Sequence, residues 1–161
     1  MANEMHLHEL HTQHLPRIYT INQASLPWVG EVSLTELEVL FDLSDHAWGV
    51  SIGGKLEGFT LCIPPNTHYA SPNYQWFSKQ FEDFLYVDRI AIDPKKRRGG
   101  MGRIIYAHLI QQAESRGVPM LAEVMKRPPN HASLTFHEHF GFSEVGVLDH
   151  DTYTVSMLAR P

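Results

Sequence analysis

The chain has 161 residues, of which 43% are hydrophobic and 19% are charged, as is typical of one globular domain with a full hydrophobic core. Its formal net charge of −5 argues against a general binder of nucleic acids or anionic membranes. Cys62 is the only cysteine, which excludes an intrachain disulfide and a thiolate zinc cluster and favours a reducing compartment.

The first segment, residues 1–13, is polar and predicts a flexible arm. It lacks the basic region and apolar run of a signal peptide, and no stretch of the sequence reaches the length of a membrane span. We therefore expect a cytoplasmic protein. The spacing of His6, His8, His11 and His14 fits no standard metal site, and we predict no bound metal.

The next elements alternate between strand and helix patterns. Residues 15–22 predict a strand, and residues 25–44 predict a segment that is mainly helical in its second half, capped by Ser33 or Thr35. A glycine-rich turn at 53–55 between two apolar runs predicts a β-hairpin.

Residues 64–83 are rich in proline, asparagine and aromatic residues without a clean period, which predicts a long loop or a broken helix. Residues 84–92 predict a strand. A helix is predicted over 101–117, with Gly117 placed to end it, and a further strand over 118–125.

Residues 131–140 predict a helix that ends at Gly141, and residues 142–148 and 152–158 predict the last two strands. No internal repeat or linker divides the sequence. The order of the elements indicates a single α/β domain over residues 1–161 with a mixed sheet.

The strand at 84–92 and the helix at 101–117 are joined by an unusual turn. Five of the thirteen basic residues lie within the nine positions 95–103, together with glycines at 99, 100 and 102. A helix N-terminus exposes unpaired N–H groups at the positive end of the helix dipole, and glycines let an anion approach them. The turn therefore predicts a phosphate site, with a solvated charge run as the alternative.

The motif Arg97-x-x-Gly100-x-Gly102 resembles the Gln/Arg-x-x-Gly-x-Gly/Ala signature of the GNAT acyltransferase superfamily. The runs VDRIAIDP before it and EV…N…S…FHEHFGF…VG after it also resemble the family, so that the resemblance covers residues 84–148. A narrower resemblance, to an uncharacterised branch of GNAT acetyltransferases, brings no substrate with it. The family implies a central mixed, mostly antiparallel sheet of six to seven strands, about four helices, and acetyl-coenzyme A as the acetyl donor.

The resemblance implies that the cationic turn binds the pyrophosphate of coenzyme A through Arg97, Arg98, Gly99, Gly100, Met101, Gly102 and Arg103. Lys95 or Lys96 would add attraction for the phosphates. The other candidate cofactor contacts are backbone groups of the preceding strand and residues of the following helix: Ile90, Ala91, Ile92, Asn130, Ser133 and Phe136. Ordinary strand pairing is the alternative for the strand residues, and a helix N-cap is the alternative for Asn130.

Transfer to an amine needs a group that takes up the proton of the amine and an acid for the departing thiolate. Asp88 shares a strand face with Tyr86 unless a bulge intervenes, and it is the candidate proton acceptor. The alternatives are that Asp88 pairs with Arg89 or caps a neighbouring turn, and that Glu82 or Asp83 takes up the proton or attracts a cationic acceptor. His137 occupies the position at which the family usually has a tyrosine acid. It is the candidate acid, with Tyr86 or water as other sources of the proton and an exposed, non-catalytic histidine as the alternative.

The aromatic residues of segment 64–83 come directly before the candidate catalytic strand. We predict that Tyr74, Trp76 and Phe77 line the acceptor site together with Glu123, and an ordinary core cluster is the alternative.

These features predict an N-acetyltransferase that transfers an acetyl group from acetyl-coenzyme A to a primary amine of a small molecule or peptide by direct attack in a ternary complex. The alternatives are a non-catalytic acyl-coenzyme A sensor, which the departure at His137 favours, and a nucleic-acid binder that uses the basic run. We expect neither a nucleic acid nor a membrane as partner, and the family suggests a homodimer.

Overall fold

The computed structural model describes residues 4–161, so that residues 1–3 of the predicted arm lie outside the described residues. Within that range the chain forms one sheet of seven strands and five α-helices. The strands are β1 (Met5–Glu9), β2 (His46–Ile52), β3 (Lys55–Ile63), β4 (Leu85–Ile92), β5 (Met120–Arg127), β6 (Ser143–Asp149) and β7 (Thr154–Arg160). The helices are α1 (Leu15–Ala24), α2 (Leu34–Leu43), α3 (Pro72–Gln80), α4 (Met101–Arg116) and α5 (His131–His139).

The strand order is β1-β2-β3-β4-β5-β7-β6, and every neighbouring pair is antiparallel except β4 and β5. These two parallel strands pair only from Leu85, opposite Met120, to Val87, opposite Ala122. Residues 89–92 of β4 therefore pair with β3 alone, and a groove opens between the unpaired parts of β4 and β5. The predicted mixed, mostly antiparallel sheet is confirmed, with five helices instead of about four.

A β-bulge interrupts β4 next to this opening. Leu61 lies opposite Arg89 and Cys62 lies opposite Val87, so that Asp88 is an extra residue without a partner in β3. An extra residue reverses the alternation of side chains. Tyr86 and Ala91, five residues apart, consequently contact the same hydrophobic core.

Hydrophobic cores cover both faces of the sheet. In β3, Leu61 belongs to one core and Cys62 to the other, because successive strand residues point to opposite faces. The first core packs α1, α2 and α3 against the sheet and includes the fully buried Phe77. The second core packs α4 against the opposite face through Ile105 and Leu109, and helix α5 covers the same side. Among residues 4–161, no helix is both long and apolar enough to cross a bilayer.

The predicted strand at 15–22 is wrong, because these residues form helix α1. Pro16 lies in the first turn of the helix, where its missing N–H is tolerated. Ile18 and Ile21 are completely buried at helical spacing. Their β-branched side chains favour a strand locally, but burial on one helical stripe decides the structure.

The predicted flexible arm is also wrong from Met5 onward. Residues 5–9 form the edge strand β1, in which Met5 lies opposite Ile52 and Glu9 lies opposite Trp48. A short 3₁₀ turn at Thr12–His14 leads into α1. Within the described part of the chain, no group of three or more His, Cys, Asp or Glu side chains is placed to hold a metal ion.

The other predicted elements agree with the structure. Ser33 caps α2, since its Oγ accepts the Glu36 N–H at 3.0 Å while the Glu36 carboxylate accepts the Ser33 N–H at 2.9 Å. The hairpin at 53–55 joins β2 to β3, and Gly117 ends α4 with a φ of +68°. Segment 64–83 is a loop followed by the complete helix α3 rather than a broken helix.

Trp76 on α3 lies directly against Gly146 on β6, and a Cβ atom at Gly146 would overlap the indole ring. We expect Gly146→Ala to lower the free energy of unfolding by about 1–3 kcal/mol, because added atoms in a packed site force their neighbours apart. Urea unfolding measures this change. The double variant Gly146→Ala/Trp76→Leu should regain part of the loss, and a single variant as stable as the parent would contradict the close contact.

Candidate active site

The groove between β4 and β5 is the main candidate site. Its volume is about 1670 Å³, whereas a pocket for one drug-sized ligand has roughly 300–1,000 Å³. Its lining joins the turn before α4 and the start of α5 to the loop between α1 and α2 and the turn between β6 and β7. The groove is therefore large enough for two ligands.

The turn before α4 has the backbone of an anion-binding site. Gly100 has a φ of +88° and Arg98 a φ of +70°. The Ile104 N–H makes the first helical bond, to the Gly100 C=O at 3.1 Å, so the three preceding N–H groups have no acceptor within the helix. They lie at the positive end of α4, where an anion is stabilised. All seven predicted pyrophosphate contacts line the groove: Arg97, Arg98, Gly99, Gly100, Met101, Gly102 and Arg103.

Asp93 anchors the start of this turn. Its N–H donates to the Glu57 C=O at 2.7 Å, and its carboxylate accepts bonds from the Lys95 N–H at 3.0 Å and the Arg17 guanidinium at 2.8 Å. The Lys95 N–H, and then Arg17, hold the pKa of Asp93 below its usual value. Of the two lysines, Lys96 lines the groove. The exposed cations, and the glycines of the turn that Asp93 holds in place, fit a pyrophosphate.

The unpaired edge of β4 continues the site. Ile90, Ala91 and Ile92 pair with β3 on one side, and on the other side they line the groove. A free strand edge is able to bind an extended ligand through its backbone groups. This edge therefore fits the predicted contact with pantetheine, which stays a prediction.

The first turn of α5 lies beside the turn at residues 97–103, which we call the cradle. Asn130 caps the helix, since its Oδ1 accepts the Ser133 N–H at 3.2 Å. Asn130, Ser133 and Phe136 all line the groove. A Cβ atom at Gly102 would lie only 3.3 Å from the Phe136 ring, so the helices α4 and α5 approach closely here. The N-cap interpretation of Asn130 is confirmed, and its contact with a cofactor stays a prediction.

Glu123 on β5 is the most perturbed carboxyl group in the groove. Its Oε1 accepts bonds from the Tyr86 hydroxyl at 2.8 Å and from the Asn73 amide at 3.2 Å. Its Oε2 is buried and has no hydrogen-bond partner within residues 4–161. Burial, and then the charge of Asp88, raise the pKa of Glu123 to about 8. A carboxyl group with this pKa accepts and releases protons near neutral pH.

Asp88 lines the groove, but its carboxylate is fully engaged. One oxygen accepts the Tyr69 hydroxyl at 2.6 Å and the other accepts the Arg89 Nε–H at 2.8 Å. Arg89 is fixed in turn by Asn22 Oδ1 at 2.8 Å and the Gly30 C=O at 3.0 Å. The alternative of an Asp88–Arg89 ion pair is therefore confirmed. Both oxygens of Asp88 thus have partners, whereas Glu123 Oε2 has none within residues 4–161, and the role of Asp88 as the proton acceptor stays a prediction.

His137 is not an exposed helical histidine, because only 2% of its surface is accessible. Its Nδ1–H donates to the Ser133 C=O at 2.8 Å, which leaves Nε2 to accept the Tyr106 hydroxyl at 2.6 Å. Burial lowers the pKa of His137 below its usual value, so the ring is neutral at pH 7. A neutral ring whose only N–H is already donated is a poor acid for a thiolate. The structure therefore favours a structural role for His137 over the predicted catalytic role.

We expect His137→Phe to destabilise the fold by about 1–3 kcal/mol, because the buried Tyr106 hydroxyl loses its acceptor. Adding Tyr106→Phe should restore much of this stability, since replacing both partners by apolar groups is nearly neutral. Urea unfolding of the two single variants and the double variant measures the coupling. Additive losses would contradict a direct Tyr106–His137 bond.

The comparison with known families agrees with this geometry. A family model described as "Acetyltransferase (GNAT) family" matches residues 15–142. The chain belongs to the GNAT acetyltransferase family. The match includes the glycine turn, the bulged strand β4, Glu123 and helix α5, whereas the groove residues between β6 and β7 lie after its end.

Curated relatives of this GNAT protein include the [ribosomal protein bS18]-alanine N-acetyltransferases of Salmonella typhimurium and Escherichia coli K12. Each is 42% identical over 59 residues, which is 36% of this chain and 38% of the relative. The matched segment thus spans well under half of these relatives.

Solved structures show the same fold. The ribosomal-protein-S18-alanine N-acetyltransferase from Escherichia coli has a TM-score of 0.78 at 22% identity, covering 98% of this chain and 94% of that chain. Naa50 from Arabidopsis thaliana, in complex with the bisubstrate analogue CoA-Ac-MVNAL, has a TM-score of 0.74 at 10% identity, covering 98% of each chain. At these identities the likeness concerns the fold alone.

Tyr86 does not border the groove of this GNAT domain. It is completely buried, and its hydroxyl donates to Glu123 Oε1. Burial, and then the charge of Glu123, raise the pKa of Tyr86 well above its usual value. The contacts of Tyr86 do not favour a role as the acid for a thiolate, because Tyr86 is outside the groove lining and its hydroxyl already donates to Glu123.

The prediction that Tyr74, Trp76 and Phe77 line the acceptor site is also wrong. Within residues 4–161, the groove lining contains neither Tyr74, Trp76 nor Phe77. Tyr74 donates to the Pro64 C=O at 2.6 Å, and Phe77 lies in the core 5.6 Å from the ring of Tyr86. Because α3 is a regular helix, its aromatic side chains turn toward the core, which was the alternative interpretation.

Further residues of the groove lining come from three separate segments of the chain. They are Trp28 and Gly30 after α1, Tyr69 and Asn73 at the start of α3, and His150 and Tyr153 between β6 and β7. Asn73 and His150 could not be predicted as a pair from the sequence, because no local motif links positions that are 77 residues apart. Of the four predicted acceptor contacts, only Glu123 lies in the groove.

Proposed function

We propose that the protein is an N-acetyltransferase that uses acetyl-coenzyme A and a primary amine in one ternary complex, without an acyl-enzyme. One observation carries the proposal: Glu123, whose Oε2 is buried without a hydrogen-bond partner within residues 4–161, lines the same groove as the glycine cradle before α4. An anion cradle alone fits many phosphate ligands. A carboxylate with a pKa of about 8 in the same groove fits the removal of a proton from an amine.

Acetyl-coenzyme A, when bound, supplies an acetyl group activated as a thioester. In this proposal residues 97–103 hold the pyrophosphate and the free edge of β4 orients the pantetheine arm. Glu123 Oε2 accepts a proton from the acceptor amine, which is protonated in water at neutral pH and unreactive in that form. The free amine would then attack the thioester carbon, a C–N bond would form and the C–S bond would break. The second proton that the nitrogen loses would reach the departing thiolate through water, because no free acid lies in the groove at His137.

For the acceptor we propose the α-amine of a peptide or protein. The printed names of the curated relatives specify alanine of a ribosomal protein, and the Naa50 structure holds an analogue that joins coenzyme A to a five-residue peptide. Three loops around Glu123 surround the acceptor side of the groove. They fit a chain end that enters between them better than an extended surface.

The test measures acetylation of peptides by mass spectrometry and release of coenzyme A by a thiol reagent. The panel contains a peptide with a free α-amine, the same peptide with a blocked N-terminus and an internal lysine, and a small diamine. Acetylation of the first peptide alone supports the full proposal. Acetylation of the diamine alone would support the amine transferase but contradict the peptide acceptor, and absence of thiol release with every amine would favour the acyl-coenzyme A sensor.

We also infer a cytoplasmic location and a homodimer. The single cysteine, Cys62, is free and buried, as is usual in reducing compartments. Sedimentation of the purified protein across a range of concentrations tests the dimer.

A further inference from the structure

Two hydrogen bonds in series lead to Glu123 from two side chains outside the predicted site, Asn73 and His150. The His150 ring nitrogen Nε2 lies 3.0 Å from Asn73 Oδ1. The Asn73 amide nitrogen lies 3.2 Å from Glu123 Oε1. These two bonds connect the turn between β6 and β7, the first turn of α3 and the middle of β5.

The chemistry of the partners fixes the direction of these two hydrogen bonds. The Glu123 carboxylate accepts hydrogen bonds only, so the amide nitrogen of Asn73 points toward it. The amide oxygen of Asn73 then faces His150, whose Nε2 carries the hydrogen. A single orientation of the Asn73 amide therefore satisfies both neighbours.

Both supporting residues are held in place themselves. Asn73 follows Pro72 in the first turn of α3, and this turn is capped by Ser71. The His150 N–H donates to the Tyr153 C=O at 2.8 Å, and its ring stacks on Tyr153 with centroids 4.5 Å apart and planes 19° apart. The turn between β6 and β7 thus holds the His150 ring against α3.

The two carboxylate oxygens of Glu123 therefore differ in their hydrogen bonds. Asn73 and Tyr86 both bind Oε1, whereas Oε2 has no hydrogen-bond partner within residues 4–161. The other charged groups around Glu123 are Asp88, whose charge raises its pKa, and Arg89, whose charge lowers it. Tyr69 binds Asp88 from the segment before α3. The Asn73 amide favours the ionised form of Glu123 and so acts together with Arg89.

We propose that Asn73 and His150 are positioning residues, which hold Glu123 with Oε2 directed at the acceptor amine. This inference rests on the proposed role of Glu123 as the proton acceptor. Neither residue takes up the proton itself, because an amide has no basic site and His150 is separated from Glu123 by Asn73.

The experiment compares Asn73→Leu, His150→Phe and His150→Gln with the parent in pH profiles of kcat and kcat/KM. Asn73→Leu removes the bond to Oε1, and we expect a roughly tenfold lower kcat and a rise in the midpoint of the pH profile. The KM for acetyl-coenzyme A should not change. His150→Phe keeps the stacking on Tyr153 but loses the donor, and it should shift the midpoint in the same direction by a smaller amount.

His150→Gln serves as the conservative rescue, because its amide nitrogen can occupy the place of Nε2, and its midpoint should return to the parent value. His139→Phe, at the end of α5 and outside the groove lining, is the matched control for the loss of a histidine. Unchanged midpoints in Asn73→Leu and His150→Phe would overturn the inference, whether or not kcat or stability falls. Glu123→Gln in the same assay separates this failure from a failure of the proposed function, since full activity of that variant would refute the proposed proton acceptor itself.

Discussion

Glu123→Gln is expected to lower kcat by about 10²–10⁴-fold while the KM for acetyl-coenzyme A stays within about twofold of the parent value. The amide has nearly the shape of the carboxylate and still fills the space between Tyr86 and Asn73. It has no basic oxygen for the proton of the amine. The variant should therefore slow the proton transfer, which lowers kcat, and should not weaken the binding of acetyl-coenzyme A.

The pH dependence gives an independent check of the same assignment. A proton acceptor works in its ionised form, and burial raises the pKa of Glu123 to about 8. The parent kcat/KM should therefore rise with pH up to about 8 and level off above it, and the rise through this midpoint should be absent in Glu123→Gln. Initial rates between pH 6 and about 9.5 measure the profile.

The control is Glu138→Gln, an exposed carboxylate on α5 outside the groove lining. It should behave like the parent in rate and in pH profile. Glu123→Gln with parental kcat would show that the proton of the amine leaves by another route, and Asp88→Asn would then become the next variant to measure.

The site divides into a local part and a distributed part, and only the local part could be predicted from the sequence. The cradle lies within seven consecutive residues, and its parts are glycines, cations and a helix start, whose effects are local. The predicted turn accordingly lies in the groove, and Gly100 has a left-handed backbone there. The strand and the helix on either side of it are strongly patterned, which also explains their agreement with prediction.

The acceptor side could not be predicted in the same way, because long-range packing determines it. The bulge at Asp88 changes which side chains of β4 face α3. No residue type in the strand indicates this bulge in the sequence. Tyr69 binds Asp88, Asn73 binds Glu123 and His150 binds Asn73 only after segments that are distant in the sequence have assembled. The helix α1 shows the same effect on the fold, since its strand-like isoleucines are buried on a helical stripe.

The difference between Asp88 and Glu123 also depends on partners that the sequence does not display. Both are carboxyl groups near the opening between β4 and β5. The adjacent Arg89 binds Asp88 because Asn22 and Gly30 hold its guanidinium in place. Glu123 has no cation bonded to it, and burial then raises its pKa. The two carboxyl groups thus differ in their partners, because Asn22 and Gly30 hold Arg89 beside Asp88 and not beside Glu123.

Gly100→Leu should weaken the binding of coenzyme A at least roughly 100-fold while the protein stays folded. Gly100 has a φ of +88°, lines the groove, and has open space where a Cβ atom would stand. A leucine side chain there would project into the space that the cradle leaves for the pyrophosphate. Because no protein atom is displaced, the cost to the fold is limited to the left-handed backbone, about 1–2 kcal/mol.

Gly117→Leu is the matched control for this variant. Gly117 lies at the other end of the same helix, also has a positive φ, of +68°, and also has open space at its Cβ position. It should carry the same backbone strain and leave the affinity for coenzyme A unchanged. Isothermal calorimetry measures the affinity and thermal unfolding measures the strain. If both variants bind coenzyme A as tightly as the parent, the cradle before α4 is not the pyrophosphate site, whereas a loss confined to Gly100→Leu assigns the site to the N-terminal end of α4.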